Sequence, residues 1–313
     1  MPVQGCNGGK VLKVKSAFAA ACFLVLACCL FLSCNLGFYW FVFGEDVEDR
    51  AKEIIVIDSP DSVSETTGEK YSVLVVTDLH FGSERTDRDD EAFYEWFKKQ
   101  LASDDESLKP RFMICLGDIL DGGHKEEAEE YNNFADKLAD LAEEAGIHGF
   151  TSYSIVGNHD LYNHGWSVWK KKVYPDTSFY VFNTKSDSQS QGMSWYFLDT
   201  GNGTLGKPQL DSLSETMEND TRPKIVSMHY PLYCGGIVQL CIQNSMERNL
   251  LMSLFARNNV KLVLEGHAHR TKHYDCGNFE EHLISSYLYS RAFTLLTVDE
   301  KSGSVVSHPD LEY

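Results

Sequence analysis

Positive charge is scarce in this chain. Lys and Arg number 28 against 46 Asp and Glu among 313 residues, for a formal net charge of −18. All three basic residues before position 44 (Lys10, Lys13 and Lys15) sit where no acid does, so residues 45–313 carry 25 basic against 46 acidic groups and a net charge of −21. A surface that negative repels phosphate backbones at long range, which disfavours nucleic acid as a partner unless bound metal ions invert the local field. Cysteine is also thin where cross-linking would need it. Of nine cysteines, Cys6, Cys22, Cys28, Cys29 and Cys34 lie in or before one apolar stretch, which leaves Cys115, Cys234, Cys241 and Cys276. Four are too few for a disulfide-built scaffold; a single Cys234 to Cys241 bridge and buried free thiols fit the spacing equally well. Repeats and low-complexity tracts are absent, and a composition of 43% hydrophobic and 24% charged residues excludes wholesale disorder. The length suffices for one large core or two modest ones.

Charge is missing altogether from Ser16 to Gly44, 29 residues dominated by Ala, Cys, Leu, Phe and Val. About 20 apolar residues span the hydrocarbon as a helix, whereas a cleavable signal carries an apolar region of only about 7 to 15. Residues 16–44 therefore read as an uncleaved transmembrane anchor. The alternative is a lipoprotein signal, since Leu30-Phe31-Leu32-Ser33 precedes Cys34; the apolar run from Leu36 to Phe43 weighs against it. Lys10, Lys13 and Lys15 on one side, with Glu45, Asp46, Glu48 and Asp49 on the other, make residues 1–15 a short basic cytoplasmic N-terminus. The expectation is a single-pass membrane protein with its large domain on the extracytoplasmic side. Residues 45–70, with Ser59-Pro60-Asp61-Ser62 and Thr66-Thr67-Gly68, read as a polar linker, and 71–313 as the folded domain.

Short β-branched runs then recur with turn residues at their ends, predicting strands at Tyr71 to Thr77, Phe112 to Leu116, Ser152 to Val156, Trp195 to Asp199, Lys224 to Met228 and Val260 to Glu265. Amphipathic helices are expected between them: one burying Phe93, Trp96, Phe97 and Leu101, one burying Tyr131, Phe134, Leu138 and Leu141, and one burying Met246, Leu250, Leu254 and Phe255. The tail reads as further strands, including Phe293 to Val298 and Ser304 to Ser307, suited to an antiparallel edge. The fold class is α/β.

Chemistry gathers at the strand ends, where open α/β sheets place ligands. The first strand runs into Asp78-Leu79-His80, the second into Gly117-Asp118-Ile119-Leu120-Asp121, the third into Gly157-Asn158-His159-Asp160, the fifth into His229 and the sixth into Gly266-His267-Ala268-His269. So many polar groups at corresponding ends are costly to bury unless something binds them together, and a metal cluster does. Each cluster alone is a weak signal. Their order, and the glycines at 117, 157 and 266 that supply tight turns, make coincidence a poor account.

The ordered set DLH, GDILD, GNHD, H, GHAH resembles that of the calcineurin-like metallophosphoesterases, over roughly Tyr71 to Val298. The resemblance implies a four-layer α/β/β/α sandwich with a dinuclear metal site at one end of its sheets. Carried over by position, it implies that Asp78, His80 and His269 hold one metal, that Asn158, His229 and His267 hold the other, and that Asp118 bridges both. Mixed nitrogen and oxygen donors admit two divalent ions of Mn, Fe, Zn or Co. Cations about 3.5 to 4 Å apart lower the pKa of a bridging water, giving a hydroxide nucleophile, and clamp the phosphoryl oxygens. His159 matches the family's non-ligand histidine, which stabilises the transition state or protonates the leaving oxygen. Asp121 or Asp160 is expected to orient it.

Asp121 stands where purple acid phosphatases have a tyrosine ligand, which disfavours that subgroup. Trp195-Tyr196-Phe197-Leu198-Asp199-Thr200-Gly201 followed by Pro208-Gln209-Leu210 looks more like the cyclic-nucleotide phosphodiesterase type. His164 and Trp166 are candidates for the substrate mouth, and Arg270 for a phosphate contact. His124, His148, His273, His282 and His308 match nothing in the motif. The implied function is a membrane-anchored hydrolase of phosphate esters, either diesters or monoesters, on small molecules or lipid and envelope components. The alternative is a non-catalytic metal-binding scaffold of the same fold that acts through protein partners.

Overall fold

A computed structural model describes residues 45–84 and 88–313. The expected anchor lies outside the described residues, and among those described no helix is long and apolar enough to cross a membrane.

In chain order the elements are α1 (Val47–Arg50), β1 (Ile55–Val56), β2 (Lys70–Val76), α2 (Asp90–Leu101), β3 (Pro110–Cys115), α3 (Lys125–Glu144), β4 (Ser152–Ser154), α4 (Trp166–Lys172), β5 (Tyr180–Thr184) and β6 (Met193–Phe197). They continue with α5 (Lys207–Glu218), β7 (Lys224–Met228), α6 (Ser245–Arg257), β8 (Val260–Glu265), β9 (Lys272–Asp275), β10 (Glu280–Leu283), α7 (Tyr287–Ser290), β11 (Ala292–Asp299) and β12 (Ser304–Glu312). Two sheets result, one ordered β12-β11-β2-β3-β4 and the other β1-β5-β6-β7-β8-β10-β9. β2, β3 and β4 run parallel, as do β6, β7 and β8. The expected antiparallel tail is present as β11, which pairs with both β2 and β12.

The sheets face each other across one core, where Tyr71, Val73 and Val75 of β2 and Phe112 and Ile114 of β3 meet Phe182, Trp195 and Phe197 of the other sheet. Alternate residues on the strands point the opposite way and are buried there too, which is why these strands read as continuous apolar runs. On the outer face of the seven-stranded sheet, Leu213 and Met217 of α5 and Leu251, Leu254 and Phe255 of α6 pack against Tyr196, Val226 and Val263. α2 and α3 cover the other sheet, with the Phe93 and Phe134 rings stacked 5.8 Å apart and Phe93 edge-on to Phe293 of β11. This is a four-layer α/β/β/α arrangement.

Two expectations need correcting. In α6, Met246 and Leu250 are exposed, and the buried stripe is Glu247, Leu251, Leu254 and Phe255. The helix is turned so that the Glu247 carboxylate can accept from Thr204 Oγ1 and from the amides of Leu205 and Gly206, at 2.9 to 3.1 Å. The stretch 45–70 is no free linker. Val47 and Ala51 are buried among Leu205, Leu213 and Val181, and β1 adds a parallel edge strand to β5. The Arg50 guanidinium, fully buried, reaches Asp199 through Nε at 2.7 Å and Nη2 at 2.9 Å. Cys115, Cys234, Cys241 and Cys276 are all free thiols, so the Cys234 to Cys241 bridge is not formed.

Candidate metal centre

The loops that leave β2, β3 and β8 bend back sharply. Asp78, His80, Asp118, His267 and His269 all have positive φ, between 46° and 63°. That left-handed region is sparsely populated by side chains other than glycine and clusters at functional sites, where the surroundings over-determine it. The surroundings here are backbone pairings: the Asp78 amide donates to Gly117 O, His80 to Asp118 O and Gly266 to His229 O, each at 3.0 to 3.1 Å. Gly117 and Gly157 let the second and third loops touch. A Cβ on Gly117 would stand 2.6 Å from the Gly157 nitrogen, and one on Gly157 would fall on Asp118 Oδ1 and its backbone nitrogen. Gly157→Ala is therefore expected to displace Asp118 and lower phosphoesterase turnover by about 100-fold or more, since a shift near 1 Å costs about that much. Full turnover in a correctly folded Gly157→Ala protein would contradict this packing.

Six of the seven positions singled out as ligands come together in two groups. Donor atoms of Asp78, His80 and His269 lie within 4.8 Å of one another, and so do those of Asp118, His229 and His267. Asp78 Oδ1 is 3.2 Å from His269 Nε2, and Asp118 Oδ2 is 3.4 Å from His229 Nε2 and 4.0 Å from His80 Nε2. None of these approaches has the alignment of a hydrogen bond. Asp78 Oδ1, His80 Nε2, Asn158 Oδ1 and His229 Nε2 are buried, yet among the described residues they make no hydrogen bond at all. Leaving four polar atoms so is costly, and cations satisfy them. The partners outside fix which atoms face inward. His229 Nδ1 lies 2.8 Å from Leu116 O, so it donates there and turns Nε2 inward. The Asn158 amide nitrogen donates to the Tyr162 hydroxyl at 3.2 Å, which turns its oxygen inward. Oxygen and imidazole donors in two groups joined through Asp118 fit two divalent transition cations.

The electrostatics are those of the metal-free chain, in which His229 holds a proton that a cation would displace. Burial works to raise the Asp118 carboxyl, but His229, then His159 and His80, outweigh it and hold it well below the usual carboxylate range. Burial would lower His229, yet Asp118 raises it to about 9. Burial and the neighbouring His229 push His267 down to about 4, keeping it a neutral donor.

The expected supporting residues divide. The Asp121 carboxylate sits 3.1 Å from His80 Nδ1, while its backbone carbonyl takes His159 Nδ1 at 2.8 Å. It thus holds a ligand with its side chain and His159 with its main chain. Asp160 does not touch His159. It is fully buried and accepts from the Leu120 and Gly157 amides at 2.8 and 2.7 Å, tying the second loop to the third. His164 is exposed with φ 61°. Trp166 is buried beneath the Arg50 guanidinium, 5.4 Å from its ring centroid, and so belongs to the core and not to a substrate mouth. Arg270 bonds the carbonyl of Ala268 through Nε at 3.3 Å. Three tyrosines escaped the sequence reading. Tyr289 stacks on His269 at 4.8 Å, Tyr230 on His267 at 3.9 Å, and Tyr162 lies 4.7 Å from His159. Tyr230 follows His229 directly and is the one that adjacency could have flagged. Beside His80, a cavity of about 720 Å³ runs along α2 and α3, lined by Arg88, Tyr94, Asn133 and Lys137.

A model of the calcineurin-like phosphoesterases matches residues 71–271. The chain belongs to that family. That is the family the ligand order resembled. The chain is 24% identical over 167 residues to a probable cyclic nucleotide phosphodiesterase of a Synechococcus strain; the match covers 51% of this chain and spans 58% of that relative. Among solved structures it is similar to a dimetal phosphatase from Danio rerio, with TM-score 0.51 and 10% identity over 77% of this chain and 99% of that one. It is also similar to GAP50, described as the anchor in the inner membrane complex of Plasmodium, with TM-score 0.54 and 14% identity over 79% and 90% of the two chains. At such identities these two likenesses speak for the fold alone.

Proposed function

We propose that this calcineurin-like phosphoesterase hydrolyses phosphodiesters of small molecules or of lipid and envelope components, held at a membrane by residues 16–44. The observation that carries the catalytic reading is the convergence of Asp78, His80, Asp118, His229, His267 and His269, together with four buried donor atoms, Asn158 Oδ1 among them, left without hydrogen bonds. A degraded scaffold would have lost some of them, so the partner-binding alternative has less support. The preference for diesters draws on the name of the Synechococcus relative. Asp78, His80 and His269 would hold one cation and Asn158, His229 and His267 the other, with Asp118 between. When bound, such cations supply an acidified water and positive charge for the phosphoryl oxygens. The chain supplies the rest. Asp121 and the Leu116 carbonyl hold His80 and His229 in place, and the Asp121 carbonyl fixes the Nδ1 side of His159, leaving its Nε2 to give a proton to the leaving oxygen.

The test is hydrolysis of an aryl phosphodiester beside the matching monoester by the Mn²⁺-loaded chain, with Asp118→Asn as control. Diester turnover that vanishes in the control supports the reading. Monoester preference replaces it with a phosphatase, and no turnover with two metals bound moves the scaffold forward. His159→Asn is expected to keep both metals and lose about 10² to 10⁴ in turnover, more for an alkyl leaving group than for nitrophenolate. Equal losses for both leaving groups would remove His159 from proton transfer.

The anchor rests on 29 residues without charge. Its check is carbonate extraction of cells expressing the chain with and without residues 1–44. The extracytoplasmic orientation is read by a reporter fused after Tyr313.

A further inference from the structure

β9 and β10 form an antiparallel pair at the free edge of the seven-stranded sheet, and His273 and His282 are direct cross-strand partners in it. Both side chains therefore leave the same face. Glu280, two residues before His282, shares that face because successive strand residues alternate. The two imidazoles meet edge to face with centroids 4.2 Å apart. His273 Nε2 lies 3.3 Å and His282 Nε2 3.1 Å from the same Glu280 oxygen, and the three donor atoms all fall within 4.8 Å of one another.

Ligands about 2.0 to 2.2 Å from a tetrahedral cation stand a little over 3 Å apart, which is the spacing found here. His282 Nε2 is hydrogen-bonded to Glu280 in the metal-free chain, and a cation would take the place of that proton, with both rings in the Nδ1–H tautomer directing lone pairs toward one point. Asp275, opposite Glu280, has its carboxylate engaged by the Gly277 amide at 2.8 Å, so it leaves the fourth position to solvent. Room for that position exists. A cavity of about 360 Å³ is lined by His273, Glu280 and His282 together with Lys272, Thr294 and Ser307.

We propose that His273, Glu280 and His282 form a third, mononuclear site for Zn²⁺ or a similar transition cation, separate from the dinuclear centre, that staples the edge hairpin. Two imidazoles and one carboxylate with an open position are a donor set zinc accepts. None of these residues belongs to the phosphoesterase motif, so the inference stands whether or not the reading of that centre does.

The experiment compares the full chain with His273→Ala/His282→Ala and with Glu280→Gln, each dialysed against buffered Zn²⁺ and analysed for metal per chain. The wild type is expected to retain one equivalent more than the double variant. Its Co²⁺ form should show visible bands of tetrahedral intensity that both variants lose, with phosphodiester turnover unchanged. All three residues are partly or fully exposed or lie at the sheet edge, and Glu280→Gln preserves shape, so folding survives in at least one variant. Equal metal content in all three proteins overturns the proposal. So does an extra equivalent that the double variant keeps.

Discussion

Asp118→Asn is expected to lower phosphodiester turnover by about 10³-fold or more and to cost the protein at least one of its two metals. Asp118 is the carboxylate proposed to lie between the two cations, and its two oxygens are already committed: Oδ1 accepts the His159 amide at 2.8 Å, and Oδ2 faces His229 at 3.4 Å and His80 at 4.0 Å. A neutral amide presents one oxygen and one N–H, so one of those directions meets a donor where an acceptor is needed. Losing several kcal/mol of charge stabilisation translates into at least three decades, at about 1.4 kcal/mol each. The same substitution has a second signature in the metal-free protein. His229 is raised there to about 9 by Asp118, so its contribution to stability is fully present below the ordinary histidine range and is lost as pH rises through about 9. The melting temperature of metal-free wild type should fall across that window more steeply than that of metal-free Asp118→Asn. Turnover within tenfold of wild type, with two metals retained, would sink the shared-ligand assignment.

The contrast between what the sequence disclosed and what it hid has a physical cause. Asp78, His80, Asp118, Asn158, His229, His267 and His269 were legible because each closely follows a strand end and their order resembles a family's; parallel pairing aligns the ends within each of the two sheets, and only the packing of the sheets brings the two sets together. Asp160 and Trp166 were misjudged because adjacency to a ligand says nothing of which way a side chain turns. Asp160 turns back to two amides of its own loops, and Trp166 turns into the core. Tyr289 lies within α7, twenty residues beyond the His269 it covers, and no spacing rule connects the two. The phase of α6 was lost because a buried Glu247, satisfied by the 204–206 loop, breaks the rule that charge faces water. β9 and β10 went unread because their residues are largely polar edge residues with a weak apolar alternation.

Arg50 gives the second large expected effect, because the segment that carries it looked like solvent-exposed chain. Arg50→Ala should destabilise the domain by about 3 to 5 kcal/mol, the cost of leaving one partner of a buried ion pair uncompensated. The pair is closed to water on both sides. Beyond its two bonds to Asp199, the guanidinium donates to Asn202 Oδ1 at 2.7 Å and to the Glu45 carbonyl at 2.9 Å, so four acceptor interactions lose their donor together. The loop beneath matters to the site. Thr200 Oγ1 accepts the His229 and Tyr230 amides at 3.0 and 2.9 Å, and a Cβ on Gly201 would meet Leu161 Cδ1 at 2.8 Å and the Gly157 carbonyl at 3.1 Å. A loop released by Arg50→Ala therefore loosens the strand end that carries His229 and the turn that carries Asn158, the two residues proposed to hold one cation with His267. Chemical denaturation should show the loss of stability, and metal titration should show that cation bound more weakly than the one held by Asp78, His80 and His269. Replacing Asp199 by Leu in the Arg50→Leu background removes the stranded charge and should recover part of the stability without restoring the metal affinity. A single variant as stable as wild type would mean that residues 45–70 lie on the domain without bracing it.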